Sequence, residues 1–122
     1  MATPQPRVLT RLRKLAMALP GTTEVEAWGE PTFRAGKMFA MYANAKNHHG
    51  AGRAAVWVKA APGRQERMVR TAPERFFVPP YMGPSGWIGV WLDADCNWDE
   101  LADILKDAWR QVASRKLQEG LP

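Results

Sequence analysis

Two amphipathic helical patterns stand near the ends of this chain. Between them, Gly and Pro cut the sequence into segments that mostly alternate rather than spiral. Val8, Leu9, Leu12, Leu15, Ala16 and Leu19 share one helical face, the signature of a helix half-buried on a core. Pro6 suits its first turn, and Pro20-Gly21 ends it. Arg7, Arg11 and Lys14 fall on the outward side. Near the other end, Trp98, Leu101, Ala102, Leu105, Ala108, Trp109 and Val112 repeat the pattern. Asn97 with Glu100 three residues on is a capping pair by residue type. Asp99, Glu100 and Asp103 at its start, with Arg110, Arg115 and Lys116 at its end, complement the helix dipole.

The interior reads as strands. Glu24 to Trp28 alternates until Gly29-Glu30-Pro31 breaks the run. A hairpin follows over Pro31–Tyr42, with a tight turn at Ala35-Gly36. Strict alternation puts Phe33 with Ala35 on one face of the first strand. It puts Met38, Ala40 and Tyr42 on one face of the second, with Phe39 and Met41 on the other. Apolar residues on both faces predict a central strand covered on both sides. Residues 43–52 form a polar, Gly-containing surface loop, and 54–59 return as a strand. Pro62-Gly63 opens a short helix to about Thr71, stopped by Pro73. Residues 75–78 are extended, 79–86 are a proline-stiffened connector, and 87–92 are a strand rich in aromatic and β-branched residues. The expected architecture is α+β: a single domain over residues 6–118, with a loose tail at 1–5. A twisted antiparallel sheet carries the N- and C-terminal helices packed on one face.

A length of 122 residues suits one domain. Its 46% hydrophobic and 24% charged residues are ordinary for a soluble globular protein. One cysteine excludes an internal disulfide. The sequence has neither a membrane-length apolar run nor a signal peptide's apolar region, so a cytoplasmic location is expected. Catalytic signatures are missing too: no phosphate-binding loop, nucleophile elbow or H-E-x-x-H is present. His48-His49 reads as a pair of loop histidines, since adjacent imidazoles do not readily face one metal. Cys96 sits at a helix entry among Asp93, Asp95, Asp99 and Glu100, which disfavour a thiolate nucleophile. The acids lack EF-hand spacing. Neither metal, cofactor nor enzymatic activity is expected.

Charge supplies the positive signal. The net charge is +5, and residues 50–80 carry six bases against Glu66 and Glu74. Arg53, Lys59, Arg64, Arg67, Arg70 and Arg75, joined by Arg34 and Lys37 of the hairpin, are the candidate nucleic-acid-binding residues. On one face they would hold several phosphates, each adding roughly −0.9 to the log-affinity against log-salt slope on duplex DNA. Six tryptophans accompany them. Aromatics among arginines on a sheet can stack on bases, although at strand and helix spacing they are more often core.

Several stretches, taken in order, carry a resemblance. They are Leu19-Pro20-Gly21-Thr22-Thr23-Glu24; Trp28-Gly29-Glu30-Pro31-Thr32-Phe33-Arg34 with Gly36-Lys37-Met38-Phe39-Ala40; Arg75-Phe76-Phe77-Val78-Pro79-Pro80-Tyr81-Met82-Gly83; Gly86-Trp87-Ile88-Gly89-Val90; and the helix from Trp98 to Val112. From about Leu9 to Leu117 the chain resembles the MmcQ/YjbR-like family, a domain of unknown function. The resemblance implies a frataxin-like (CyaY-like) fold whose hairpins have been likened to a double-wing DNA-binding motif. It brings no catalytic set. The acidic first-helix surface of frataxins is replaced by Arg7, Arg11, Arg13 and Lys14, so iron donation is not implied. The expected function is a non-catalytic nucleic-acid binder, with DNA or another nucleic acid as partner, no membrane association and a monomeric state. The alternative is a protein-interaction or small-ligand module with its cleft near Pro79–Trp87.

Overall fold

Turn chemistry sets the sheet. The structure, a computed structural model, describes residues 4–44, 53–93 and 96–120. Strands β1 (Thr23–Ala27) and β2 (Glu30–Ala35) are joined by Trp28-Gly29. Both turn residues have positive φ, 55° and 77°, the requirement of a two-residue hairpin whose twist matches its strands. β2 turns into β3 (Lys37–Ala43) through Gly36 at φ 90°. Next come β4 (Ala55–Val58), α2 (Arg64–Thr71), β5 (Phe76–Phe77), a 3-10 turn at Gly83–Ser85 and β6 (Ile88–Trp91). Helix α1 (Pro4–Met17) precedes the sheet, opening two residues before Pro6; α3 (Trp98–Arg110) and a short α4 (Arg115–Glu119) follow it. The loop expected over 43–52 starts later than read, because Ala43 is buried and closes β3 opposite Ala55. Its residues 45–52, with His48-His49, lie outside the described residues. Among the described residues the sheet has six strands in the order β1-β2-β3-β4-β6-β5, every neighbouring pair antiparallel.

The chain is an α+β domain with terminal helices on a six-stranded antiparallel sheet. α1 and α3 cover one face. Leu12, Ala16, Leu101, Leu105, Ala108 and Trp109 pack there on Phe33, Tyr42, Val56, Val58 and Val90. Trp109 is fully buried, and its indole N–H donates to the Pro20 carbonyl at 2.9 Å. That bond fixes the exit of α1 against α3 and satisfies the ring's polar atom. Asn97 caps α3 as its type suggests, its side chain accepting the Glu100 N–H at 3.1 Å.

One expectation about faces is corrected. Phe33 stands opposite Ala40, but Arg34 stands opposite Met38. Phe39 is therefore an extra residue, a β-bulge. The bulge reverses the alternation before Ala40, so Phe39 joins Ala40 and Tyr42 in the helix-side core, while Met38 lies with Met41 on the other face. That second face carries its own cluster of Met41, Ala43, Ala55, Trp57 and Trp87, with Met38, Phe77, Met82 and Trp91 against it. No helix residue belongs to this cluster; the connector between β5 and β6 supplies its cover.

Candidate functional site

Strand alternation builds the floor of a groove on the face away from α1 and α3. Met41 and Trp57 stand opposite each other in the β3–β4 ladder and are 4% and 1% exposed. Met38 and Met82 form half-buried walls. Trp28 from the β1–β2 turn and Tyr81 from the connector complete the lining of a space of about 330 Å³. This is the low end of the range for small-molecule sites, about 300–1,000 Å³, and suits one or two fused rings. The lining offers methyl, thioether and ring surface almost throughout.

Two features separate this groove from ordinary core. Trp28 and Tyr81 are 65% and 74% exposed. They are also the non-glycine residues with positive φ among the described residues, at 55° and 66°. A bulky side chain in that region costs about 1–2 kcal/mol. Holding two aromatics there, exposed, beside one apolar hollow is strain of the kind found at binding sites. Trp28 also corrects the sequence reading, which placed it on a strand among core tryptophans. The connector is held from behind: the Gln65 amide donates to the carbonyls of Gly83 at 2.9 Å and Trp87 at 2.7 Å.

The basic residues named from sequence are divided. Arg53 forms a two-pronged pair with Asp93 at 2.6 and 2.9 Å while its guanidinium lies 4.1 Å above the Trp91 ring. Arg64 bonds Asp107 at 2.6 Å, and Arg75 pairs with Glu100. These three are neutralised by carboxylates from the loop after β6 and from α3. Arg67 and Arg70 are exposed on α2, Lys37 is exposed at the hairpin tip, and Lys59 follows Trp57 by two positions. Arg34 is half-buried directly across the ladder from Met38. Its Nε donates to Thr32 Oγ1 at 3.1 Å, and that hydroxyl donates to the Val25 carbonyl at 2.5 Å. Of the eight, Arg34 is thus the cation whose ladder partner is a wall of the groove.

A second, smaller cleft of about 80 Å³ lies beside Cys96, lined by Arg53, Arg75, Asp93 and Glu100 among others. Burial pushes the Cys96 thiol above its ordinary value; Arg11 and Arg75 pull the other way, and Asp93 adds to the rise. The thiol is held protonated mainly by its burial, and of the surrounding acids only Asp93 adds to the effect. Hydrogen bonding from Arg53 holds the Asp93 carboxyl low against the opposing effect of burial. Among the described residues no group of three or more His, Cys, Asp or Glu could hold a metal ion, and no helix is long and apolar enough to cross a membrane.

Fold and groove together define a small α+β domain, helices on one sheet face and an aromatic hollow on the other. The YjbR family model matches residues 17–111, and the chain belongs to the YjbR family. It is similar in fold to the crystal structure of Deinococcus radiodurans protein DR2400, whose family-model domain is DUF419. The TM-score is 0.75 at 19% identity, over 93% of this chain and 88% of that one. No curated protein matches the chain.

Proposed function

We propose that this domain is a non-catalytic binding module whose site is the Trp28–Tyr81 groove and whose ligand is a small, flat, largely apolar molecule. The observation that carries the reading is the pair of exposed aromatics in left-handed backbone conformations, both lining one hollow floored by Met41 and Trp57. An apolar ring entering there exchanges water for thioether and indole surface at roughly 25 cal/mol per Å². Methionine walls adapt to ligand shape. Among the described residues the groove lining supplies no nucleophile–base pair, and the half-buried Cys96 outside it is a protonated thiol.

Single-stranded nucleic acid is a second reading, favoured by one observation. Arg34, Lys37, Lys59, Arg67 and Arg70 make no ion pair among the described residues. Bases stacking on Trp28 or Tyr81 would bind with little sequence preference. It is the weaker reading, because Arg53, Arg64 and Arg75 already hold carboxylates.

The test is an NMR titration of the isotope-labelled full chain with 2-naphthamide. Saturable shifts at Trp28, Met41, Trp57 and Tyr81, weakened about tenfold in Trp28→Ala as loss of one stacking partner implies, support the groove. No shifts with naphthamide, combined with salt-sensitive binding of labelled single strands at about 50 mM salt, overturn it in favour of nucleic acid.

A further inference from the structure

Resting on the groove reading, we infer that its ligand carries an anionic group beside the ring, and that Arg34 is the partner of that anion. The argument is a comparison among arginines. Arg13, Arg34, Arg64 and Arg75 are the half-buried arginines among the described residues. Arg13 holds Glu24 at 2.5 and 2.9 Å, Arg64 holds Asp107, and Arg75 holds Glu100. Arg34 is withdrawn from water like the others, yet makes no ion pair among the described residues. A cation taken out of water without a counter-charge is costly.

Position gives that cation a purpose. In the β2–β3 ladder Arg34 is directly opposite Met38, a wall of the groove, and facing residues of a ladder stand about 4.5–5.5 Å apart at Cβ. Nε is anchored to Thr32 Oγ1, a neutral acceptor that is itself fixed by its bond to the Val25 carbonyl. This leaves the terminal guanidinium nitrogens to a ligand. Glu30, four residues earlier in β2, has its carboxylate on the Asn44 backbone N–H at 2.9 Å. A planar guanidinium matches two oxygens of a carboxylate or a phosphate side by side. The ligand class is therefore one or two fused rings, seated between Trp28 and Tyr81, with a carboxylate or phosphate at the Met38 end.

The experiment compares three probes of one ring system, 2-naphthamide, 2-naphthoate and 2-naphthyl phosphate, by the same NMR titration in wild type, Arg34→Met and Arg34→Lys. The inference expects both anions to bind wild type about tenfold or more tighter than the amide, with the stronger of the two naming the anion. Arg34→Met abolishes that preference while naphthamide still shifts Trp28, Met41, Trp57 and Tyr81, which also shows that the variant is folded. Arg34→Lys keeps part of it. Equal affinities for amide and anions in wild type, or a preference that survives Arg34→Met, overturn the inference and leave the groove reading standing. Failure of all three probes to shift the groove residues overturns both.

Discussion

Trp28 shows how much a single backbone angle can say. A residue at φ 55° in a two-residue hairpin is ordinarily Gly, Asn or Asp, and here it is the largest side chain available, 65% exposed. The strain has a measurable sign. At an ordinary position glycine is less stable than alanine by roughly 0.5–1 kcal/mol, because its unfolded chain is freer. At a left-handed position the order reverses, since alanine carries the Cβ clash and glycine does not. Trp28→Gly and Trp28→Ala lose the same ring, so comparing them isolates the backbone. Urea denaturation is expected to find Trp28→Gly the more stable of the two by about 1 kcal/mol. Alanine equal to or above glycine would mean that the turn imposes no strain and that Trp28 needs no functional reason to be there.

At the scale of elements, local signals carried well and relational ones did not. Both terminal helices, the Asn97 cap and the Gly36 turn are written in residue types a few positions apart, and they stand close to where that spacing put them. However, α1 opens at Pro4 and α3 stops at Arg110, which leaves Arg115 and Lys116 in the first turn of α4 rather than at the end of α3. The Phe39 bulge is a property of two strands at once: only the register, Phe33 on Ala40 but Arg34 on Met38, creates it. Its consequence, Met38 turned toward the groove, was therefore hidden. So were the partners of Arg53 and Arg64, which lie 40 and 43 residues away. Trp28 had one legible signal, the Gly29 that follows it, outweighed by tryptophan's preference for strands. Tyr81 lies in the connector that the proline run had marked. Another relational feature is Gly89. It pairs with Phe77 in the β5–β6 ladder, and a Cβ there would enter the Phe77 ring, which stacks on Trp91 at 4.1 Å. β5 is two residues long, with Phe76 buried in the helix-side core and Phe77 on the groove side. Gly89→Ala is expected to destabilise the fold by about 1–3 kcal/mol, the usual cost of overpacking, read by thermal or urea melting. A neutral result would show that Phe77 swings away freely and that β5 is not held by its ring.

Across the whole molecule, three of the arginines that suggested a cationic surface, Arg53, Arg64 and Arg75, serve to join parts of the fold. Arg64 and Arg75 tie α2 and the approach to β5 to α3, and Arg53 ties the entry of β4 to the loop after β6. Of the six bases between residues 50 and 80, three are thus neutralised in place by carboxylates. These are partly exposed pairs, and such pairs contribute about 0–1 kcal/mol each. Their effect has a definite pH direction at Asp93. Hydrogen bonding from Arg53 holds this carboxyl below its ordinary value of 3.8 in the folded chain. The unfolded chain therefore takes up a proton first as pH falls. The stabilisation is complete well above 3.8 and drains away as pH drops through that value toward the folded one. Because both side chains are more than two-fifths exposed, screening limits the loss to at most about 1 kcal/mol. Urea denaturation compared between about pH 6 and pH 3 is expected to show a fall in wild type that is smaller, by up to that amount, in Asp93→Asn, which cannot titrate. An identical acid response in the two proteins would mean that the Arg53–Asp93 pair carries no folding energy.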